Sequence, residues 1–325
     1  MRTKTVSIVL CTYNGEKYIE EQLNSLINQT YDYDEIIVQD DASTDRTFDI
    51  VTTMAKKNSR IKIFRNSKAL GINTNFFTAI SKAKSEYIAL SDQDDIWELD
   101  KIAIQMDAIG NNLLCTGRSV PFCENQKNIA YDWRYPNYNL IRLLYSSIPG
   151  HTMLFHRSLL NLIPHNHELY QHTIYDVILS ITAASYNSIV FIDKKLVNQR
   201  RHMTAATFQA HDKHRERSVN NLFYIIFWSV IHYSKIAPLM REHFRIRNSF
   251  LQEIHSTEQI YLDALKITSY HASKGLFPIV KLMMLYLKYR HVLFFSYEKD
   301  PIAIARAIVY PIMLIYNYRY LLKNV

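Results

Sequence analysis

Two periods of apolar residues divide the first hundred positions. Val6 to Leu10, Glu35 to Val38, Ile61 to Phe64 and Tyr87 to Leu90 are short, largely apolar runs bounded by polar turns, the pattern of buried strands. Between the first two, Ile19, Leu23, Leu26 and Ile27 recur at i, i+4, i+7 and i+8, the spacing of a helix that buries one face. Phe76, Phe77 and Ile80 repeat that spacing before the fourth run. Strands alternating with helices predict right-handed crossovers and parallel pairing. The expected fold is therefore α/β, with a Rossmann-like, mostly parallel sheet flanked by helices.

Periodicity weakens over residues 111–149, where Tyr131, Trp133, Tyr135 and Tyr138 read as core aromatics. A strand follows Gly150-His151-Thr152 through Met153 to His156. Asp176 then sits in the first turn of a helix carrying Val177, Ile178, Ile181 and Ala184. A further strand, Ile189 to Ile192, leads to the basic segment Gln199-Arg200-Arg201-His202. From about residue 215 onward the pattern is helical. The expected division is an α/β domain over 1–210 and a basic, α-helical C-terminal extension over 211–325.

In parallel sheets, ligands gather at the carboxyl ends of the strands. That rule places three polar clusters on one edge. Cys11, Thr12, Tyr13 and Asn14 follow the first strand, Asp41 follows the second, and Asp92, Asp94 and Asp95 follow the fourth. Crowded carboxylates repel one another and lose hydration when buried, so they call for a compensating cation. Hard oxygen ligands suit Mg2+ or Mn2+, which commonly bind through one or two carboxylates while phosphates complete the shell. Asp92 and Asp94 are the expected metal ligands, bridging a diphosphate, and Asp41 is placed to accept a hydrogen bond from a base imide or ribose hydroxyl. With six glycines in the chain, neither G-x-G-x-x-G nor G-x-x-x-x-G-K-[ST] is present, so the phosphate is held without a glycine-rich loop.

Charge separates the two parts further. Residues 1–196 carry 20 Lys and Arg against 22 Asp and Glu, whereas residues 197–325 carry 18 against 8. The C-terminal basic residues are interleaved with Leu, Ile and Met, which suits an anionic membrane surface and not a nucleic-acid backbone. Leu276 to Ser296 has the length of a span, but Lys281, Lys288, Arg290 and His291 interrupt it. Helices lying in the membrane plane are expected, a helical subdomain packed on the core being the alternative. Three cysteines without C-x-x-C spacing, and a start lacking a secretory cleavage pattern, fit a cytoplasmic chain at the inner face of the plasma membrane.

These motifs together resemble the inverting glycosyltransferases of family 2. Val6 to Asn14 is similar to that family's opening strand and T-Y-N turn, and Val38 to Asp45 resembles its V-x-D-D-x-S-x-D element. Ile88 to Trp97 resembles the L-S-D-Q-D-D-x-W form of its D-x-D motif, common in rhamnosyltransferase branches. The resemblance covers about residues 5–205 and is strongest through residue 100. It implies a GT-A fold, with Cys11, Tyr13 and Asp41 beside the nucleobase and Asp92 and Asp94 serving ribose, diphosphate and metal. Asp95 would be a neighbour of that site. Asp176 matches the family's catalytic base, although Tyr175 stands where Glu or His usually precedes it. Arg200 and His202 resemble an R-x-H segment that reaches the diphosphate, and His151 occupies a position often held by Cys.

The implied activity is sugar transfer from a nucleotide diphosphate, dTDP-rhamnose or a UDP-sugar, to a hydroxyl of a glycan or polyprenyl-linked acceptor in cell-surface glycan synthesis. A nucleotidyltransferase would also use a metal and paired carboxylates, but the glycine- and lysine-rich loop for triphosphate handling is missing. A non-catalytic nucleic-acid or membrane binder is the remaining alternative.

Overall fold

A computed structural model describes residues 4–123, 129, 131–202, 222–293 and 299–324. The expected boundary near 210 lies outside these described residues.

The first strand, β1 (Val6–Thr12), is buried along its whole length. So is β2 (Glu35–Asp40), because both lie inside a sheet covered on both faces. Helix α1 (Ile19–Ile27) connects them, burying Ile19, Leu23 and Leu26. Helix α2 (Thr47–Lys57) leads to β3 (Ile61–Arg65), and α3 (Ile72–Lys82) leads to β4 (Tyr87–Ser91). Short β5 (Ile96–Trp97) precedes α4 (Lys101–Ala108). Then come β6 (Leu114–Phe122), α5 (Leu140–Leu143), β7 (Leu154–His156), α6 (Leu169–His172), α7 (Tyr175–Ser185) and β8 (Ile189–Arg200).

The eight strands run in the order β3-β2-β1-β4-β7-β6-β8-β5. Pairing is parallel among β1 to β4, as expected, and also between β6 and β8, but β7 is antiparallel to both β4 and β6, and β5 is antiparallel to β8. Alternate side chains of each strand feed two cores. Ile8, Leu10, Ile36 and Val38 meet Leu23 of α1 and Ile102 of α4. Val9, Ile37, Ile88 and Leu90 meet Phe76 of α3 and Ile178 of α7.

The second of these cores continues into the C-terminal helices α8 (Leu222–Gln252), α9 (Gln259–Ala272), α10 (Leu276–Lys288), α11 (Arg290–Leu293) and α12 (Asp300–Asn317). Ile236, Phe244 and Phe250 of α8 are fully buried there, so this half of the helix packs on the core. Its first half differs: Phe223 is 84% exposed and Phe227 66%. Leu276, Phe277 and Met284 of α10 and Ile302 and Ile308 of α12 are exposed as well. Two helical stretches, Leu222–Gln252 and Asp300–Leu321, are long and apolar enough to cross a membrane.

Two features depart from the sequence pattern. Gly150–Thr152 forms a 3-10 turn before β7. Trp133 and Tyr135 are 63% and 61% exposed, so they do not belong to the core. Their rings stack edge-on against Tyr131 and Phe191, which half-covers them without enclosing them.

Candidate active site

The carboxyl ends of β1, β2 and β4 bring the three predicted clusters to one edge. Thr12 lies at the end of β1, and its hydroxyl donates to Asp40 Oδ1 at 3.0 Å. Tyr13 is half-exposed, and its backbone is clamped by Gln93, whose Oε1 accepts from Tyr13 N at 2.8 Å and whose Nε2 donates to Tyr13 O at 2.9 Å. Asn14 holds a positive φ of 49°, and its Oδ1 accepts from Thr44 N at 2.8 Å, joining the turn after β1 to the one after β2. Cys11 is buried beside them, its thiol pushed well up by burial and by the Asp92 and Asp41 charges, so it is a neutral wall of the site.

Asp41 is committed to the chain itself. Its Oδ1 accepts from Asn66 Nδ2 at 2.7 Å and Leu70 N at 2.8 Å, and its Oδ2 accepts from Gly71 N at 2.9 Å. It therefore organises the loop that opens α3, the helix that carries Phe76 beneath the site. Asp40 and Asp45 play turn roles, accepting from Ser43 and Thr47.

Behind β4 the three carboxylates separate. Asp92 is the exposed one, at 40% of its side chain. Asp95 is buried and its Oδ1 accepts from Arg200 N at 3.0 Å, while its Oδ2 has no hydrogen-bond partner. His151 lies between them, Nδ1 3.1 Å from Asp92 Oδ2 and 3.3 Å from Asp95 Oδ2, with Nε2 2.7 Å from Ser119 Oγ. Burial opposes charge on this imidazole, but the Asp95 and Asp92 carboxylates outweigh it and push it up to about 9. Asp94 points away to His202, whose Nε2 lies 2.7 Å from Asp94 Oδ2. Burial and Asp92 raise the Asp94 carboxyl, with His202 opposing.

Among the described residues, the group able to hold a cation is Asp92, Asp95 and His151, whose ligand atoms lie within 4.8 Å of one another. The carboxylate oxygens of Asp92 and Asp95 fit Mg2+ or Mn2+, and the His151 imidazole, which pairs with both carboxylates when protonated, can join them only on giving up that proton. The geometry thus adds Asp95 and His151 to Asp92 and gives Asp94 to His202. Arg200 is buried: Nε donates to Asp94 O at 3.0 Å, Nη2 pairs with Glu21, and the guanidinium lies over the Tyr18 and Phe122 rings. In this arrangement it fixes the acidic loop.

Asp176 lies in the first turn of α7, on the same edge. It is 7% exposed and its Oδ1 has no hydrogen-bond partner. Burial pushes its carboxyl up to about 7, with Asp92 adding to the rise and the Val177 amide opposing it. Tyr175 beside it is buried and stacks on Phe76 with ring centroids 3.8 Å apart. Its hydroxyl fills the space above Gly150, where a Cβ would overlap it. Tyr175 thus sets the floor between Asp176 and His151.

Gln93, Ser119, Asn66 and Glu21 are site residues that the sequence did not single out. Gln93 stands inside the acidic motif and was legible as its polar spacer; the others carry no local signal.

Residues 7–163 match the model of glycosyl transferase family 2. Over that stretch, just under half of its length, the chain is similar to family 2 glycosyltransferases, and its architecture is of the GT-A type. A UDP-Glc:alpha-D-GlcNAc-diphosphoundecaprenol beta-1,3-glucosyltransferase of Escherichia coli is 40% identical over 101 residues, 31% of this chain and 39% of that protein. The dTDP-rhamnosyl transferase RfbG of Shigella flexneri is 40% identical over 117 residues, 34% and 40% of the two chains. Similarity spans 28% and 52% of two Haemophilus influenzae glycosyltransferases, so the chain matches about half or less of these curated relatives. The crystal structure of S. aureus TarS 1-349 with UDP-GlcNAc shares the fold, with a TM-score of 0.58 and 17% identity over 96% of this chain and 90% of that one.

Proposed function

We propose that the chain is an inverting glycosyltransferase that moves a sugar from a nucleoside diphosphate onto a hydroxyl of a lipid-linked or polysaccharide acceptor. The observation that carries this reading is Asp176. Its unpartnered oxygen, held near neutrality in proton affinity, stands on the same edge as the carboxylate and imidazole group of Asp92, Asp95 and His151. One half of the site can take a proton while the other anchors a diphosphate.

In this reading Asp176 Oδ1 accepts the proton of the acceptor hydroxyl. The hydroxyl oxygen bonds to the anomeric carbon as its bond to the diphosphate breaks, and the electron pair leaves on the diphosphate oxygen. Attack from the face opposite the leaving group inverts the anomeric centre. A bound Mg2+ or Mn2+ on Asp92, Asp95 and His151 would supply charge neutralisation for the departing diphosphate. Arg200 keeps the acidic loop in place, and His202 holds Asp94 beside it. Tyr13, exposed at the mouth, is available to face the base.

The donor is read as dTDP-rhamnose or a UDP-sugar, from the L-S-D-Q-D-D-x-W form and the likeness to the Shigella flexneri dTDP-rhamnosyl transferase. A polyprenyl-linked acceptor is supported by the Escherichia coli relative's name and by the exposed apolar helices. Within residues 222–235 of α8, Ser229 is buried and Trp228 packs on the core while Phe223, Phe227, Val230 and Ile231 face outward, so one face of the helix is covered. A helix with one covered face and one apolar exposed face favours lying on the cytoplasmic membrane face over crossing it.

The test is a screen of dTDP-rhamnose, UDP-glucose and UDP-GlcNAc with Mn2+ or Mg2+ and a polyprenyl-diphosphate-sugar acceptor. The expected result is one active donor, with Asp176→Asn losing at least about 100-fold in turnover at nucleotide affinity within about twofold. Failure of every nucleotide sugar to bind would refute the reading.

A further inference from the structure

A second buried polar site lies in the C-terminal helices. Arg247 of α8 is 9% exposed, and no carboxylate pairs with it among the described residues. Its Nη1 donates to the Leu144 carbonyl, and its Nε has no partner. Next to it, His243 Nε2 is also buried without a partner. Both side chains line a partly open cavity of about 160 Å³ together with Tyr145, Leu314, Asn317, Tyr318 and Tyr320. A guanidinium withdrawn from water without a counter-charge is costly, and no acidic residue lines this space to compensate it.

We propose that this cavity binds a phosphate-bearing anion, with Arg247 as its charge partner and His243, Asn317 and Tyr318 as neutral polar neighbours. A guanidinium fork matches phosphate oxygens, and the chamber has room for a phosphate or diphosphate group. Burial, with Arg247 adding to it, pushes the His243 imidazole down to about 3, so it offers a neutral N–H and no competing charge. The cavity adjoins the apolar surface: Tyr316, next to Asn317, meets Trp228 at 5.1 Å on the exposed half of α8. The anion is therefore either a free phosphate compound or a lipid headgroup lying against that helix. The site is separate from the catalytic edge and does not depend on the transferase reading.

Inorganic pyrophosphate titrated into the full chain in the presence of EDTA, followed by calorimetry, tests this. Wild type should bind it, with Arg247→Met weakening affinity by at least about tenfold and Asp92→Ala leaving it unchanged. Arg247→Lys, which keeps the charge but loses the fork, should fall between and serves if Arg247→Met does not fold. Equal binding by wild type and both Arg247 variants overturns the proposal, as does loss of binding in Asp92→Ala alone, or no binding by wild type. Sedimentation with phosphatidylglycerol and phosphatidylcholine vesicles distinguishes the sources. Pyrophosphate that displaces the chain from the anionic vesicles identifies a headgroup, and pyrophosphate bound without displacement identifies a free anion.

Discussion

Asp176 shows how burial prepares a side chain for a proton. Its carboxyl, raised to about 7 by desolvation, is protonated below that pH and becomes a usable base above it. Turnover of wild type is therefore expected to rise through about pH 7, while any residual activity of Asp176→Asn stays flat there. Stability moves the other way. A carboxyl whose folded pKa exceeds its unfolded value of about 3.9 keeps its proton longer in the native state, so native stability falls as pH rises from about 4 to about 7. Thermal melts in EDTA should find Asp176→Asn more stable than wild type at pH 8 and equal to it near pH 4. No difference at either pH would mean that the carboxylate is solvated.

Metal dependence belongs to the same scale. Asp92, Asp95 and His151 converge, whereas Asp94 is engaged by His202. Asp95→Ala is expected to raise the Mn2+ concentration for half-maximal activity at least as far as Asp94→Ala does. A shift confined to Asp94→Ala would show that the acidic loop rearranges when donor and ion bind.

At the scale of elements, the loop between β3 and α3 depends on Asp41. The carboxylate gathers two backbone amides and the Asn66 side chain, fixing Gly71 at a φ of 85° as α3 begins. Asp41→Asn would set an amide N–H against the Gly71 N–H. A loss of about 1–3 kcal/mol is expected, read as a lower melting temperature alongside weaker donor binding. Donor binding that weakens at unchanged stability would assign Asp41 to the base alone.

The same scale explains which elements the sequence hid. Strands β1, β2 and β4 announce themselves as apolar runs because both of their faces are covered, whereas β3, at the sheet edge, leaves Lys62 and Arg65 exposed beside its apolar positions. β6 includes Gly117, Arg118, Ser119 and Pro121, and β8 carries the exposed Asp193, Lys194 and Lys195. The apolar run Ile189 to Ile192 marks only the start of β8; its continuation and the whole of β6 are of mixed composition, and their length follows from pairing with each other across nine registered positions.

For the whole molecule, one core runs from the sheet into the C-terminal helices, yet those helices also turn Phe223, Phe227, Leu276 and Phe277 outward. The basic C-terminal composition and this apolar surface fit attachment to an anionic bilayer. The chain should sediment with phosphatidylglycerol vesicles at low salt, and Phe223→Glu with Phe227→Glu should release most of it without lowering the melting temperature. Wild type left wholly in the supernatant at low salt would exclude membrane attachment.

The sequence by itself determined the strand and helix periods of the first hundred residues, and through them the edge on which the acidic residues stand. It also marked Asp176 and the basic, apolar C-terminal part. Only the tertiary structure decided which carboxylates meet. His151 reaches Asp92 across 59 residues of chain and an antiparallel strand, and Arg200 reaches Asp95 across 105. Spacing along a chain fixes which face of an element a residue occupies, but distances between elements depend on how those elements pack. Buried charge is sensitive to a few ångströms, so the partners of the three carboxylates, His151 beside Asp92 and Asp95 and His202 beside Asp94, emerged only from the packed fold.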